Sequence, residues 1–76
     1  MKKIPYALVA SDATVSSRIL AMNPKLLEGD IVSREDQICF RREVCRCIGG
    51  DYDPVGNEIY FSDEEYLLYL LKWKNA

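Results

Sequence analysis

Across residues 4–10 the chain alternates, with Ile4, Tyr6, Leu8 and Ala10 on one face and Pro5, Ala7 and Val9 on the other. That period predicts a first strand, with Pro5 at its start or on an edge. Ser11 or Asp12 then offers an N-cap, and Val15, Ile19 and Met22 recur at spacings of four and three, so a helix through about Met22 follows. Asn23-Pro24 ends it, because the residue before a proline is pushed out of helical dihedrals. Pro24 is placed to open one further turn through Glu28, closed by Gly29.

Two periods compete over residues 30–48. As strands, 30–33 and 37–40 pair around Arg34-Glu35-Asp36, the second continues or folds back through 44–48, and Ile38, Phe40, Val44 and Ile48 face a core. As a helix, Ser33 is the N-cap with Asp36 at N3, Phe40, Val44 and Cys47 make a stripe, and Gly49 lies just past the end. The clusters Ile31-Val32, Ile38-Cys39-Phe40 and Val44-Cys45 prefer β structure, and cysteine is a poor helix former, which favours the strands. Residues 49–57 read as a loop from their glycines, aspartates and proline, and 58–61 as a strand.

The last element carries the plainest signals. Ser62-Asp63-Glu64-Glu65 is a capping box whose acids complement the positive end of the helix dipole, and Lys72 and Lys74 stand where positive charge is favoured. A helix over 63–74 is predicted. The expected architecture is α+β: a small two-layer sandwich, its mostly antiparallel sheet of about four strands covered by one or two helices, with the C-terminal helix packed on the sheet.

Composition narrows the chemistry. Seventy-six residues, 49% hydrophobic and 29% charged with a net charge of −2, suit a single globular domain over 1–76. No stretch approaches the ~18 apolar residues of a membrane span, and the apolar run after Lys2 and Lys3 is too short for a signal peptide, so a cytoplasmic chain is expected. Histidine is absent, which removes the usual general base and the commonest zinc ligand. Cys39, Cys45 and Cys47 are an odd, clustered set without Cys-x-x-Cys spacing; free, partly buried thiols fit them better than a disulfide framework or a metal site. Asp51-x-Asp53 with Gly56 resembles the first half of an EF-hand loop, but Pro54 intrudes, Val55 holds the fifth position and Ser62 the twelfth. No phosphate-binding glycine loop or activated nucleophile is present, and neither enzyme activity nor a cofactor is expected.

Two candidate surfaces remain. The last helix is apolar around more of its circumference than core burial needs: Tyr66, Leu67, Leu70, Leu71 and Trp73 form a broad face, and Leu68 and Tyr69 lie on the other side. Leu68, Tyr69, Trp73 and Tyr66 are therefore the expected contacts with a protein partner or a second copy of the chain, against the plainer reading of a packing helix with a few exposed apolar residues. Arg34, Arg41, Arg42 and Arg46 fall within thirteen residues, a pattern that suits nucleic acid or an acidic partner. Glu35, Asp36 and Glu43 reduce that segment to +1, so nucleic acid is the second choice. A small domain without enzyme motifs suits a regulator, adaptor or inhibitor of a larger assembly, of the kind phages and other mobile elements encode.

Overall fold

The structure, a computed structural model, describes residues 1–27, 29 and 31–74. It is a small α+β domain whose elements run β1 (Lys2–Pro5), α1 (Tyr6–Ala10), α2 (Ala13–Met22), a 3₁₀ turn (Pro24–Leu27), α3 (Arg34–Cys47), β2 (Asp51–Asp53), β3 (Glu58–Phe61) and α4 (Asp63–Tyr69), extended by a wider π-type turn (Leu70–Lys74). Among the described residues there are three strands rather than about four.

The first strand is shorter than its alternation suggests. Pro5 is extended and caps a helix that starts at Tyr6, so the chain turns helical where a strand over 4–10 was expected. Ala7 and Ala10 are strong helix formers. Helical spacing also buries Tyr6 and Val9 together, three residues apart, and leaves Leu8 in solvent. Asp12 caps α2, its carboxylate accepting from the amides of Thr14 at 3.1 Å and Val15 at 3.2 Å. Val15 and Ile19 are buried, whereas Met22, the third member of the expected stripe, is exposed.

The middle segment is a helix, against the strand preference. Ser33 Oγ accepts from the Asp36 amide at 3.1 Å while the Asp36 carboxylate accepts from the Ser33 amide at 3.2 Å. Hydrogen bonds from the backbone of Ser33 and Val32 hold the Asp36 carboxyl below its ordinary range. At the other end Gly49, at φ +84°, makes a Schellman closure, its amide donating to the Arg46 carbonyl and the Gly50 amide to that of Cys45. Both ends thus satisfy backbone groups that a helix otherwise leaves orphaned, and this outweighs a weak β preference of the side chains between them. The buried stripe is Val44, Cys45 and Ile48, with Ile38, Phe40 and Cys47 half-buried beside it. The proposed hairpin over 30–40 is absent at 34–40; Glu28 and Asp30 lie outside the described residues.

The sheet order is β1-β3-β2, antiparallel throughout. Ile4, Ile59 and Tyr52 stand opposite one another on the inner face, with Phe61 beside them. The outer face is polar: Lys3 pairs with Glu58 at 3.6 Å, and the Tyr60 hydroxyl donates to Asp53 at 3.4 Å. β2 lies within the segment read as a loop, and a four-residue turn over 54–57 joins it to β3 with Asn57 at φ +53°. Arg41 fastens α3 to this turn. Its guanidinium donates to Asn57 Oδ1 at 3.1 Å and to the Tyr52 hydroxyl at 3.3 Å, and lies 5.4 Å from the centre of the Tyr6 ring.

The C-terminal helix starts as its capping box predicts, with Ser62 Oγ accepting from the Glu65 amide and the Glu65 carboxylate accepting from the Ser62 amide, each at 3.1 Å. It packs on β3 by stacking Tyr69 on Phe61, with centroids 5.3 Å apart. Trp73 is buried against α2, where Arg18 lies over its indole and donates to the carbonyls of Lys72 at 2.7 Å and Trp73 at 3.3 Å. Arg18 thereby satisfies carbonyls freed at the helix end. Sheet and helices share one buried cluster.

Candidate functional site

The last helix presents a different face to solvent from the one its apolar pattern suggests. Tyr66, Tyr69, Leu70 and Trp73 follow the i, i+3, i+4, i+7 spacing and turn inward, with Tyr69 and Trp73 each only 3% exposed. Tyr69 and Trp73 are core residues rather than the broadly exposed contacts expected of them, and reach the surface only in the lining of a cleft beside Leu68. Tyr66 is half-buried, its ring 5.8 Å from that of Phe61 and under the Lys2 ammonium at 5.4 Å. Leu68 is exposed as expected at 58%, and its neighbours are Leu67 at 59% and Leu71 at 67%, both assigned to the core side by pattern alone. The physical reason is partner size: the aromatic rings fill the space beside Phe61 and α2, and the three leucines are left outside.

Leu67 and Leu68 are neighbours and Leu71 lies one turn further on, so the three form a continuous apolar patch rather than scattered residues. Asp63 and Glu64 border it at one end, Lys72 and Lys74 at the other, all exposed. A cleft of about 230 Å³ beside it is lined by Leu68, Lys72, Arg46, Ile48 and the buried rings of Tyr69 and Trp73. Leu68 therefore joins the helix face to the C-terminal end of α3.

The arginines do not converge. Arg41 is occupied by Tyr52, Asn57 and the Tyr6 ring, and Arg46 pairs with Glu43 at 3.4 Å. Arg34 and Arg42 are exposed but eight residues apart on α3, about 80° around its axis. Glu35 and Glu43 share the outer side of the helix with Arg42 and Arg46, so that side mixes both signs.

The thiols likewise stand apart. Cys39 is exposed and Cys45 fully buried, its thiol pushed up to about 12 chiefly by that burial. Cys47 is half-buried and accepts from the Asn23 amide nitrogen at 2.8 Å; burial raises it too. Among the described residues no group of three or more Cys, Asp or Glu side chains is placed to hold a metal ion. The acidic residues 51–63 are spread over separate contacts: Asp53 accepts from the Val55 amide at 3.1 Å, Glu58 meets Lys3, and Asp63 meets the N-terminal ammonium at 3.3 Å.

A second concavity lies between α1, α2 and α3. It measures about 160 Å³ and is walled by Tyr6, Ala10, Ile19, Leu20, Phe40 and Val44. The hydroxyl of Ser16, which also lines it, is committed to the carbonyls of Val9 and Ala10. Its walls hold no acid, base or free nucleophile, and its volume falls below the ~300 Å³ from which small-molecule sites usually start. No described helix is long and apolar enough to cross a membrane. Comparison of the chain with protein-family models, with curated proteins and with solved structures finds no match.

Proposed function

We propose that this chain is a non-enzymatic protein-binding module, a regulator or adaptor that docks through the outer face of its last helix. One observation carries the reading. Leu67, Leu68 and Leu71 are each more than half exposed on two successive turns of a helix whose other side is anchored by Tyr69, Trp73 and the Arg18 clamp. A domain of this size buries only ~60% of the surface its unfolded chain exposes, so three large apolar side chains withheld from the core are a considerable loss of folding energy. A polar rim around an apolar centre on a rigid element is how interface cores are built.

The test is a photo-crosslinking residue placed at Leu68 in the full chain, expressed in the cells from which it comes. Protein adducts at Leu68 that disappear when Leu71→Glu is added support the reading. Equal adduct formation from a probe at Tyr60 on the outer sheet face, or none from Leu68, overturns it. Both leucines are exposed, so Leu68→Glu and Leu71→Glu should each change stability by no more than ~0.5 kcal/mol, and lost adducts then report lost docking.

A further inference from the structure

Arg41 stands without a counter-charge. It is half-buried, and the described groups it meets are neutral: Nη1 donates to the Tyr52 hydroxyl at 3.3 Å and to Asn57 Oδ1 at 3.1 Å, and the Tyr6 ring lies beneath. Among the described residues no carboxylate pairs with the guanidinium, and neither Nε nor Nη2 has a partner. A half-buried cation is costly to leave uncompensated, and two hydrogen bonds with a ring beneath fix where this one stands. Along α3, Arg34, Gln37 and Arg41 recur at i, i+3 and i+7 and so share one side of the helix. Glu35, Asp36 and Glu43 lie about 100° or more around the axis from each of them. This side borders a cleft of about 310 Å³ lined by Tyr6, Ile31, Gln37, Phe40 and Arg41, near the ~300 Å³ from which small-molecule sites start. The cleft shares Tyr6 and Phe40 with the apolar concavity between α1, α2 and α3, so the two adjoin, and neither is lined by an acid.

We infer that this cleft binds a small apolar monocarboxylate, its carboxylate on Arg41 and its body against Tyr6, Ile31 and Phe40. A guanidinium matches a carboxylate through two parallel N–H···O bonds, and Nε and Nη2 are the donors left to make them. Gln37 adds an amide donor one helical turn before Arg41, and Arg34 adds positive charge to the approach. The aromatic walls select for an apolar body, since an inorganic anion would leave them in water. None of the lining residues belongs to the last helix, so ligand and docking partner occupy separate surfaces.

Titration of the isotope-labelled full chain, followed by amide NMR shifts at low salt, tests it with phenylacetate, phenylacetamide and acetate as probes. Phenylacetate should shift the amides of Tyr6, Ile31, Gln37, Phe40 and Arg41 saturably, with a Kd of about 1 mM or tighter. Phenylacetamide has the same body without the charge, and acetate the charge without the body; each should bind at least about tenfold more weakly. Arg41 also fastens α3 to the turn over 54–57, so the informative variant is at its neighbour. Gln37→Glu changes an exposed side chain and places a carboxylate four residues before Arg41, where it pairs with the guanidinium and repels an anionic ligand. It should weaken phenylacetate at least about tenfold and leave phenylacetamide unchanged. No saturable shift by ~10 mM phenylacetate, shifts centred on other residues, or equal affinity for the amide or for acetate overturns the site. A Gln37→Glu protein that binds phenylacetate as the wild type does overturns it as well.

Discussion

Gly50→Ala tests how α3 is seated on the sheet. A Cβ at this position would lie 2.5 Å from Ile59 Cγ2 and 2.9 Å from Phe61 Cε1, where carbon atoms rest at about 3.5–4.0 Å. Neither wall can retreat: Ile59 and Phe61 are 0% and 1% exposed, and Phe61 is stacked on Tyr69. Overpacking of this kind costs ~1–3 kcal/mol, and the reduced freedom of the unfolded chain returns ~0.4–1 kcal/mol. A net loss of about 1.3 kcal/mol is expected from a total of about 4–11 kcal/mol for 76 residues. In melting temperature it corresponds to a fall of roughly 5–10 °C. Urea titration followed by the fluorescence of Trp73, the single tryptophan and a buried one, measures it directly. Adding Phe61→Leu should relieve part of the clash, so the double variant should lose at least ~0.5 kcal/mol less than the two single losses combined. Gly49→Ala is the control: its Cβ would meet open space, its φ of +84° alone makes the change costly by ~1–2 kcal/mol, and its loss should add to that of Phe61→Leu without coupling. A Gly50→Ala protein within ~0.5 kcal/mol of wild type would refute the close approach of helix end and sheet.

Arg18→Met keeps the aliphatic stem but removes the donors to the Lys72 and Trp73 carbonyls; a loss of ~1–2 kcal/mol is expected, with faster amide exchange confined to the last turn and a red-shifted Trp73 emission. Unchanged exchange at that turn would refute the clamp. Burial raises the Cys45 thiol from 9.0 to about 12 and raises Tyr6 and Tyr69 as well, so the folded state holds these protons more tightly than the unfolded chain. The stability this confers is complete below pH 9 and falls as pH rises towards 12. Urea titrations at several pH values should show that decline, and Cys45→Val should reduce it; an unchanged slope would refute the Cys45 contribution. In native buffer a thiol reagent should modify Cys39 first, Cys47 slowly and Cys45 only on unfolding, as their exposures require.

What was legible in the chain was what depends on neighbours a few residues apart. Asp12, Ser62 with Glu65, and β3 could be placed from local signals, because a cap or a short alternating strand is decided within one turn or a few residues. The segment 34–47 was not, since its β-preferring triplets and its two caps argue oppositely and only the caps satisfy the backbone. Residues 4–10 failed similarly: five residues of helix and five of strand differ little in period when Ala7, Leu8, Val9 and Ala10 are all apolar. β2 is three residues with Tyr52 between two aspartates, too short for any period, and its pairing with β3 is a tertiary fact. Leu67 and Leu71 were assigned inward for the same kind of reason. From 66 to 71 every residue is apolar or aromatic, so the pattern cannot choose a face; Phe61 and Arg18, distant in the chain, choose it.

The remaining surfaces sharpen the case for helix-mediated docking. Sheet edges are the usual alternative, since unpaired strand backbone recruits further strands. Here the β1 edge carries Lys2, Lys3 and Pro5, and β2 is three residues long with an aspartate at each end. Charge, proline and shortness are the devices that protect an edge from pairing. The outer face of α3 alternates arginine with glutamate, and the outer sheet face is closed by Lys3–Glu58 and Tyr60–Asp53 contacts. On the outer sheet face charge and hydrogen bonding occupy the polar groups, and on the outer face of α3 acids and bases are mixed with no apolar centre. On the last helix the same chain leaves three adjacent leucines uncovered and separates its charges to the two ends, where they can order a partner without obstructing the apolar centre. Replacing the leucines with alanine while keeping Glu64, Lys72 and Lys74 should therefore abolish docking at any ionic strength, whereas salt alone should weaken it only partly; complete loss in ~0.5 M salt would mean that charge, rather than apolar burial, supplies the attraction.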